Sequence, residues 1–319
     1  MTRPTLLDIA KRNLSDSEVG LVEEAIYETP EVSGQCRWTG NSVAGVGQSK
    51  PIKGLNYYTR VRTALPSAGF RGVNEGVTAV KSTWENRLVE TFILNPRWEC
   101  DQAEAEANED GPEAFIAEEA DAITKGAFLQ LGRQFYYGTN TSYGGHAKGF
   151  PGLIDAYDAT NMMVDAGGTT ANTGSSAWLV KWGPRDTRWV VGNNGSFSMS
   201  DIRMADLLDG SSNPFTGYVQ EMLARLGLQV ANPAISLCRI KKLTADSGKG
   251  LTDDLITQAM MKMKIRPDAI FCSRRSWGQL QQSRTATTAT GAEAPMPTEV
   301  HGIPLMVTDA IYDTESLTL

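Results

Sequence analysis

Apolar and polar positions alternate between two periods along this chain, and the changes of period mark its elements. Residues 5–27 carry apolar side chains at helical spacing, with Val19, Val22 and Ile26 on one side of a second piece capped by Ser15 or Asp16. This segment fits either an ordinary N-terminal helix or an arm laid on a neighbour. From residue 31 to 76 the pattern breaks into short extended runs separated by Gly, Pro and Asn, with a strand expected over 55–63. Few large aliphatic residues anchor this stretch, so it reads as a two-stranded excursion that a partner must hold, because an isolated hairpin is marginal in water. Residues 81–98 read as a strand, although 82–88 also satisfies helical spacing.

The clearest helix runs over residues 112–137. Pro112 suits its first position, Glu113 complements the positive end of the dipole, and Gly138 follows the last turn. Ile116, Ala120, Ile123, Ala127 and Leu131 form one apolar stripe flanked by Phe128 and Phe135, with Glu113, Glu118 and Asp121 turned away. At 1.5 Å per residue this is a rod of roughly 39 Å. Beyond a Gly/Tyr/Asn loop, AWLVKW and RWVV predict two apolar strands around Gly183 and Pro184. Residues 218–243 start helix-like and become β-like. An amphipathic helix over 251–264 carries Leu255, Ile256, Ala259, Met260 and Met263. A buried strand is expected over 268–272, a helix over 274–282, a Thr/Ala/Gly/Pro-rich mobile loop over 285–298 and a last strand over 301–310. Mixed elements without regular βα alternation predict an α+β fold.

Charge sharpens this picture. Between residues 32 and 74 stand six bases (Arg37, Lys50, Lys53, Arg60, Arg62, Arg71) and no acid. Between residues 99 and 124 stand ten acids and no base, among them Glu104, Glu106, Glu109, Asp110, Glu113, Glu118 and Asp121. Folded surfaces normally intersperse the two signs. Each block repels itself, and the two are reconciled if the basic excursion of one copy lies across the acidic surface of the next. The seven named acids and six bases are therefore the expected contact residues between subunits.

Composition adds limits. Hydrophobic content of 41% and charged content of 21% are globular values, and the net charge of −7 argues against a general nucleic-acid binder. Four dispersed cysteines with no C-x-x-C pair fit reduced core thiols in a cytoplasmic setting. The N-terminus lacks a signal-peptide pattern, and no apolar run reaches membrane-span length. Only two histidines occur, His146 and His301, without an H-E-x-x-H or G-x-S-x-G motif. Gly248-Lys249-Gly250 lacks the spacing of a phosphate loop and reads as a turn. The acidic block offers carboxylates to a divalent cation, but without EF-hand order. Tyr57, Tyr58, Arg60 and Arg62 interleave rings and cations as single-strand binders do, or simply form a twisted strand. No catalytic, cofactor or metal residues are assigned.

Several segments together resemble the major capsid protein of tailed bacteriophages, the Hong Kong 97-like fold. They are YYTRVRTALPSAGFRGVNEG (57–76), the acid-led helix 112–137, SSAWLVKWG (175–183), GLQVANPAISLCRI (227–240), PDAIFCSRRSWGQLQQSR (267–284) and HGIPLMVTDAI (301–311). The resemblance implies an N-terminal arm over 1–30 and an extended β-hairpin loop over 31–76. It also implies a peripheral domain with a long spine helix over 77–143 and 213–243, and an axial domain over 144–212 and 244–319. Further, it implies a structural, non-enzymatic subunit that forms pentamers and hexamers of itself in an icosahedral virion head around double-stranded DNA. The DNA would be packaged without sequence-specific binding, with scaffolding, portal and decoration proteins as further partners. No membrane and no cofactor are involved, and assembly is expected in the host bacterial cytoplasm. The alternatives are an encapsulin-type compartment with protein cargo and, in another class, a metal-dependent hydrolase using the acidic cluster.

Overall fold

A computed structural model describes residues 26–195, 197–286 and 291–319. Most of the expected N-terminal helix and arm, and residues 287–290 of the expected mobile loop, lie outside them. In chain order the elements are α1 (Pro30–Ser33), β1 (Ser49–Pro51), β2 (Asn56–Ala64), β3 (Thr83–Glu90), β4 (Phe92–Leu94), β5 (Arg97–Asp101), α2 (Gln102–Glu106) and α3 (Pro112–Tyr137). There follow α4 (Leu153–Ala156), β6 (Met163–Asp165), β7 (Ser175–Val180), β8 (Thr187–Val191), β9 (Phe197–Met199), β10 (Arg203–Leu208) and β11 (Pro214–Val230). The last are α5 (Pro233–Ser236), β12 (Leu237–Leu243), α6 (Asp253–Lys262), β13 (Ala269–Cys272), α7 (Arg274–Ala286), β14 (Glu299–Val300) and β15 (Ile303–Val307).

The 17-residue β11 organises one sheet. Along one edge it pairs in turn with β10, β9 and β8, and along the other with β5 and β4, all antiparallel; β1 then adds to β8 in parallel. The helix-like reading of its first half is therefore corrected. Over its middle, burial follows a period of two: Gln220, Met222, Ala224 and Leu226 are buried, Glu221 and Arg225 are half-buried and Leu223 is exposed. Strands from distant parts of the chain impose this, overriding local helical spacing. Gly227 permits one close approach: a Cβ there would lie 2.2 Å from the Glu90 carbonyl oxygen.

The long helix α3 forms over the residues expected and crosses this sheet. Phe115 and Ile116 pack with Trp98 and Cys100, with Ile123 and Tyr218 at the margin. Further along, Leu131 and Phe135 pack with Ala224, Leu226 and Leu228. Ile116, Ala127 and Leu131 of the stripe are buried, Ala120 and Ile123 are half-buried, and the flanking Phe128 is exposed while Phe135 is fully covered. Gly138 caps the helix with φ +52, and a Cβ there would collide with the Asp155 carboxylate and the backbone of Gly152.

A second, six-stranded sheet runs β14-β15-β13-β7-β12-β6. Its central strand β7 is buried on both faces: Trp178 and Val180 join the core under α3, and Ala177 and Leu179 join the core under α6 and α7. Helix α6 buries Ile256 and Ala259 there, and its Thr252 hydroxyl caps the Leu255 N–H. Helix α7 runs four residues past its expected end. Phe135 sits where the layers meet, 5.6 Å from Trp182 and 5.5 Å from Trp189 between ring centroids.

The observed sheets cut across the expected segment boundaries. AWLVKW and RWVV both form strands, but in different sheets, so β8, β9 and β10 leave the 144–212 segment for the long sheet. β12 leaves the 213–243 segment for the six-stranded sheet, after the chain turns at Pro233. The hairpin's returning strand is β3, beyond residue 76, and residues 31–52 are tied to the body by buried Cys36 and Val46 and by the β1–β8 pairing. The loop before β14 is held at several points: the Trp277 indole N–H donates to the Pro297 carbonyl at 2.8 Å, and Gln281 Nε2 donates to the Ala294 carbonyl at 2.8 Å. All four cysteines are free and buried.

Candidate interaction surfaces

The β2–β3 hairpin is anchored at its root and open along its length. Its inner side places Tyr57 and Val89 against Ile52 and Val190 in a small separate core. Arg87 donates to the Ala231 carbonyl at 2.9 Å, and the Tyr57 hydroxyl bonds Gln229. Pairing Arg62 with Trp84 and Arg60 with Asn86 puts these side chains on the opposite, outward face, together with Tyr58 and Leu88. There the Arg60 and Arg62 guanidinium carbons lie 4.9 and 4.2 Å from the Trp84 ring centroid. This ladder holds two cations side by side on an exposed aromatic, each contact worth about 0.5–1 kcal/mol. Beyond Ala64 the tip is exposed, with Leu65 at 74%, Phe70 at 106% and Val73 at 92% relative exposure. These apolar side chains are left uncovered by their own chain.

Of the six expected bases, the structure brings Arg60, Arg62 and Arg71 onto the excursion, with exposed Lys53 near its root. Arg71 donates to the Glu75 carbonyl at 3.3 Å and so helps shape the tip. Two belong to the body instead. The Arg37 backbone N–H is bonded to the Glu28 carboxylate, in a stretch fixed by buried Cys36. Lys50 lies on β1 in the long sheet, its ammonium 3.9 Å from the Tyr57 ring centroid, and partial burial followed by repulsion from Arg188 lowers its pKa.

The expected acids form one region around the start of α3. Glu104 and Glu106 sit on α2, Glu109 and Asp110 in the turn after it, and Glu113, Glu118 and Asp121 on α3 away from the sheet. Of these seven, Glu104 is half-buried and the rest are exposed. Asp121 pairs with Lys125 at 2.5 Å, so a base just past the acidic block offsets part of its charge. Among the described residues no group of three His, Cys, Asp or Glu is placed to hold a metal ion.

Beside α3 a cavity of about 730 Å³ is lined by Phe92, Leu94, Ile123, Leu131 and Phe150, with His146 and Lys148 at its polar side. His146 is fixed through its backbone N–H, which donates to Gln134 Oε1 at 2.8 Å, and the other histidine, His301, contacts Thr257 Oγ1 at 3.0 Å on another element. Gly248-Lys249-Gly250 is a turn, the Lys249 N–H donating to the Asp246 carbonyl at 3.0 Å. Among the described residues no helix is long and apolar enough to cross a membrane.

Sequence reasoning missed Trp84 and the apolar tip. The available signal was an aromatic in the returning strand and Leu65, Phe70 and Val73 in a segment with no core of its own. It also missed two buried acids. Glu31 is fully enclosed beside Gly132, and Glu315 is 2% exposed in a polar tail. A single acid in a short polar run carries no pattern that announces burial.

The model of the family described as Major capsid protein GP7 matches residues 53–318. A chain of the near-atomic cryo-EM structure of bacteriophage epsilon15 superposes with a TM-score of 0.65 at 19% identity, covering 99% of this chain and 98% of that one, and so shares its fold. A chain of Mycobacterium phage Adephagia matches at TM-score 0.46 and 12% identity, over 71% of this chain and 97% of that one. A chain from the capsid of the native GTA particle matches at TM-score 0.44 and 9% identity, over 72% and 95%. These two fall below the overlap on which a shared fold can be argued. Among curated protein sequences none matches.

Proposed function

The chain belongs to the Major capsid protein GP7 family, and on that premise we propose how its copies build a shell. It is a structural subunit without catalytic activity. Copies gather into pentamers and hexamers and close an icosahedral tailed-phage head around double-stranded DNA, assembling in the host cytoplasm with scaffolding, portal and decoration proteins as further partners. Residues 28–52 stay with the body, buried Glu28, Cys36 and Val46 and the β1–β8 pairing holding them there; the β2–β3 excursion over residues 56–90 forms the extended loop, and α3 is the spine of the peripheral domain.

The observation that carries this reading is the hairpin. It presents Arg60, Arg62 and Trp84 on a face that its own chain leaves exposed, and it ends in an uncovered apolar tip. A neighbour's acidic region around Glu106, Glu109, Asp110, Glu113 and Glu118 is the complementary surface. Exposed ion pairs contribute only about 0–1 kcal/mol each, so the charges select register and partner while the apolar contacts supply affinity. Repeating one such contact head to tail generates a ring when its rotation closes.

Electron microscopy of the assembled full chain, with any scaffold supplied, tests the reading directly. Rings or shells are expected from the wild type. Reversal of Arg60, Arg62 and Arg71 to Glu should leave a folded subunit that forms neither. Persistent monomers from the wild type under every condition would exclude the shell, and normal shells from the triple variant would exclude this docking.

A further inference from the structure

The most enclosed charged pair among the described residues is not at either charge block. Arg239 on β12 is 1% exposed and Glu315, in the tail after β15, is 2% exposed. Arg239 Nη2 donates to Glu315 Oε2 at 3.2 Å, its Nε donates to the Ser176 hydroxyl at 2.9 Å, and its Nη1 donates to the Leu319 carbonyl at 3.1 Å. The guanidinium also lies 5.3 Å from the Trp178 ring centroid. The Glu315 carboxylate is filled from three sides: Oε1 accepts from the Tyr137 hydroxyl at 2.6 Å, and Oε2 accepts from Ser176 at 2.5 Å as well as from Arg239. Its backbone exchanges two bonds with Gly174, at 2.8 and 3.1 Å.

The neighbours of Glu315 in the tail repeat this pattern. The Tyr312 N–H donates to the Tyr137 hydroxyl at 2.9 Å, the Ser316 N–H donates to the Tyr143 hydroxyl at 2.8 Å, and Asp313 Oδ1 accepts from the Ser273 hydroxyl at 2.6 Å. Tyr137 is the last residue of α3, Ser176 lies on β7 and Arg239 on β12. A single eight-residue stretch thus ties the end of the long helix to the middle of the six-stranded sheet. The apolar core around Phe135 and Phe271 also joins them, but apolar burial has no direction and tolerates sliding. A buried carboxylate filled by a hydroxyl from the helix and a guanidinium from the sheet does not.

We propose that residues 312–319 are a clasp that sets the register of the α3 C-terminus on the six-stranded sheet, and that a subunit with the clasp open does not enter shells. The second half rests on the capsid reading above; the first does not. Removing one partner of a buried pair leaves the other charge uncompensated, so an unseated tail exposes Arg239 and loosens both elements together.

The test is amide hydrogen exchange on the unassembled full-length subunit, alongside shell yield. In Glu315→Gln, exchange over residues 134–143 and 174–180 should rise together, by about tenfold or more as local opening becomes easier, with far-UV circular dichroism unchanged and shell yield reduced. Tyr137→Phe, which removes one bond of the set, should raise exchange in the same two segments by less, and it is the variant to read if Glu315→Gln does not fold. Faster exchange confined to residues 312–319 overturns the clasp. Loosened segments with wild-type shell yield overturn the gating. A wild type that stays monomeric under every condition, with any scaffold supplied, refutes the shell reading, while the exchange data still decide the clasp.

Discussion

Glu31 makes stability fall as pH rises, and Glu31→Gln should abolish that fall. The side chain is fully buried beneath α3, with one carboxyl oxygen accepting from the Tyr136 hydroxyl at 3.3 Å and the other without a hydrogen-bond partner. Burial pushes its pKa from 4.5 up to about 8; the Tyr136 hydrogen bond opposes this, and nearby Asp309 adds to it. The unfolded chain releases the proton near pH 4.5, whereas the folded chain keeps it to about pH 8. Between those values the folded state binds more protons, so stability declines with rising pH, and it is level on either side. At about 1.4 kcal/mol per unit of pKa, the whole decline has a ceiling of about 5 kcal/mol. The glutamine of the variant stays neutral throughout and keeps an oxygen for Tyr136. Urea unfolding of the unassembled subunit at intervals from pH 5 to 9, with constant m-value, measures the difference. Wild type should lose several kcal/mol relative to the variant over that range, and the variant should be the more stable protein at pH 9. Parallel curves would refute the reasoning, since they would mean that Glu31 ionises while folded as readily as in the unfolded chain.

Three other outcomes follow from the geometry. Early assembly, followed by light scattering, should slow as salt rises, because the Debye length falls from about 10 Å at 0.1 M to about 3 Å at 1 M; a salt-independent rate would remove the charge blocks from the mechanism. Ile116→Asp, placing a carboxylate among Phe115, Trp98 and Cys100, should cost several kcal/mol and prevent soluble folding, whereas Ile123→Asp, half-buried at the cavity, should cost about 1–2 kcal/mol by urea unfolding. Gly227→Ala drives a Cβ to 2.2 Å from the Glu90 carbonyl oxygen and should destabilise by about 3 kcal/mol, while Gly126→Ala, which meets nothing within 4 Å inside α3, should stabilise by about 0.5–1 kcal/mol.

What could be read from the sequence depended on how far apart in the chain the cause lay. The bounds of α3 were readable because Pro112, Gly138 and the stripe between them all act within a few turns of each other. β11 was misread because Tyr218, Met222 and Leu226 keep helical spacing, while the strands that hold it extended start at Phe92, Arg97, Thr187 and Arg203. Gly217 and Gly227 were the local sign: each lets a neighbouring backbone carbonyl come within 2.2 Å of where a Cβ would stand, a demand made by a sheet and not by an isolated helix. The charge blocks show the same limit. Their signs were visible, but Arg37 and Lys50 belong to the body, a placement decided by Cys36 in the core and by the pairing of β1 with β8. The exposure of the α3 acids and the hairpin bases was legible because it depends on charge and periodicity. Glu31 and Glu315 were illegible because a buried acid is defined by what encloses it. Gly132 and Tyr136 enclose the first, and Tyr137, Ser176 and Arg239 the second, all more than 70 residues away in the chain. Both acids are enclosed by the same turn of α3, at Tyr136 and Tyr137, where the two sheets meet. Perturbing either should therefore be felt first at the C-terminal end of that helix, far from the acidic surface at its start.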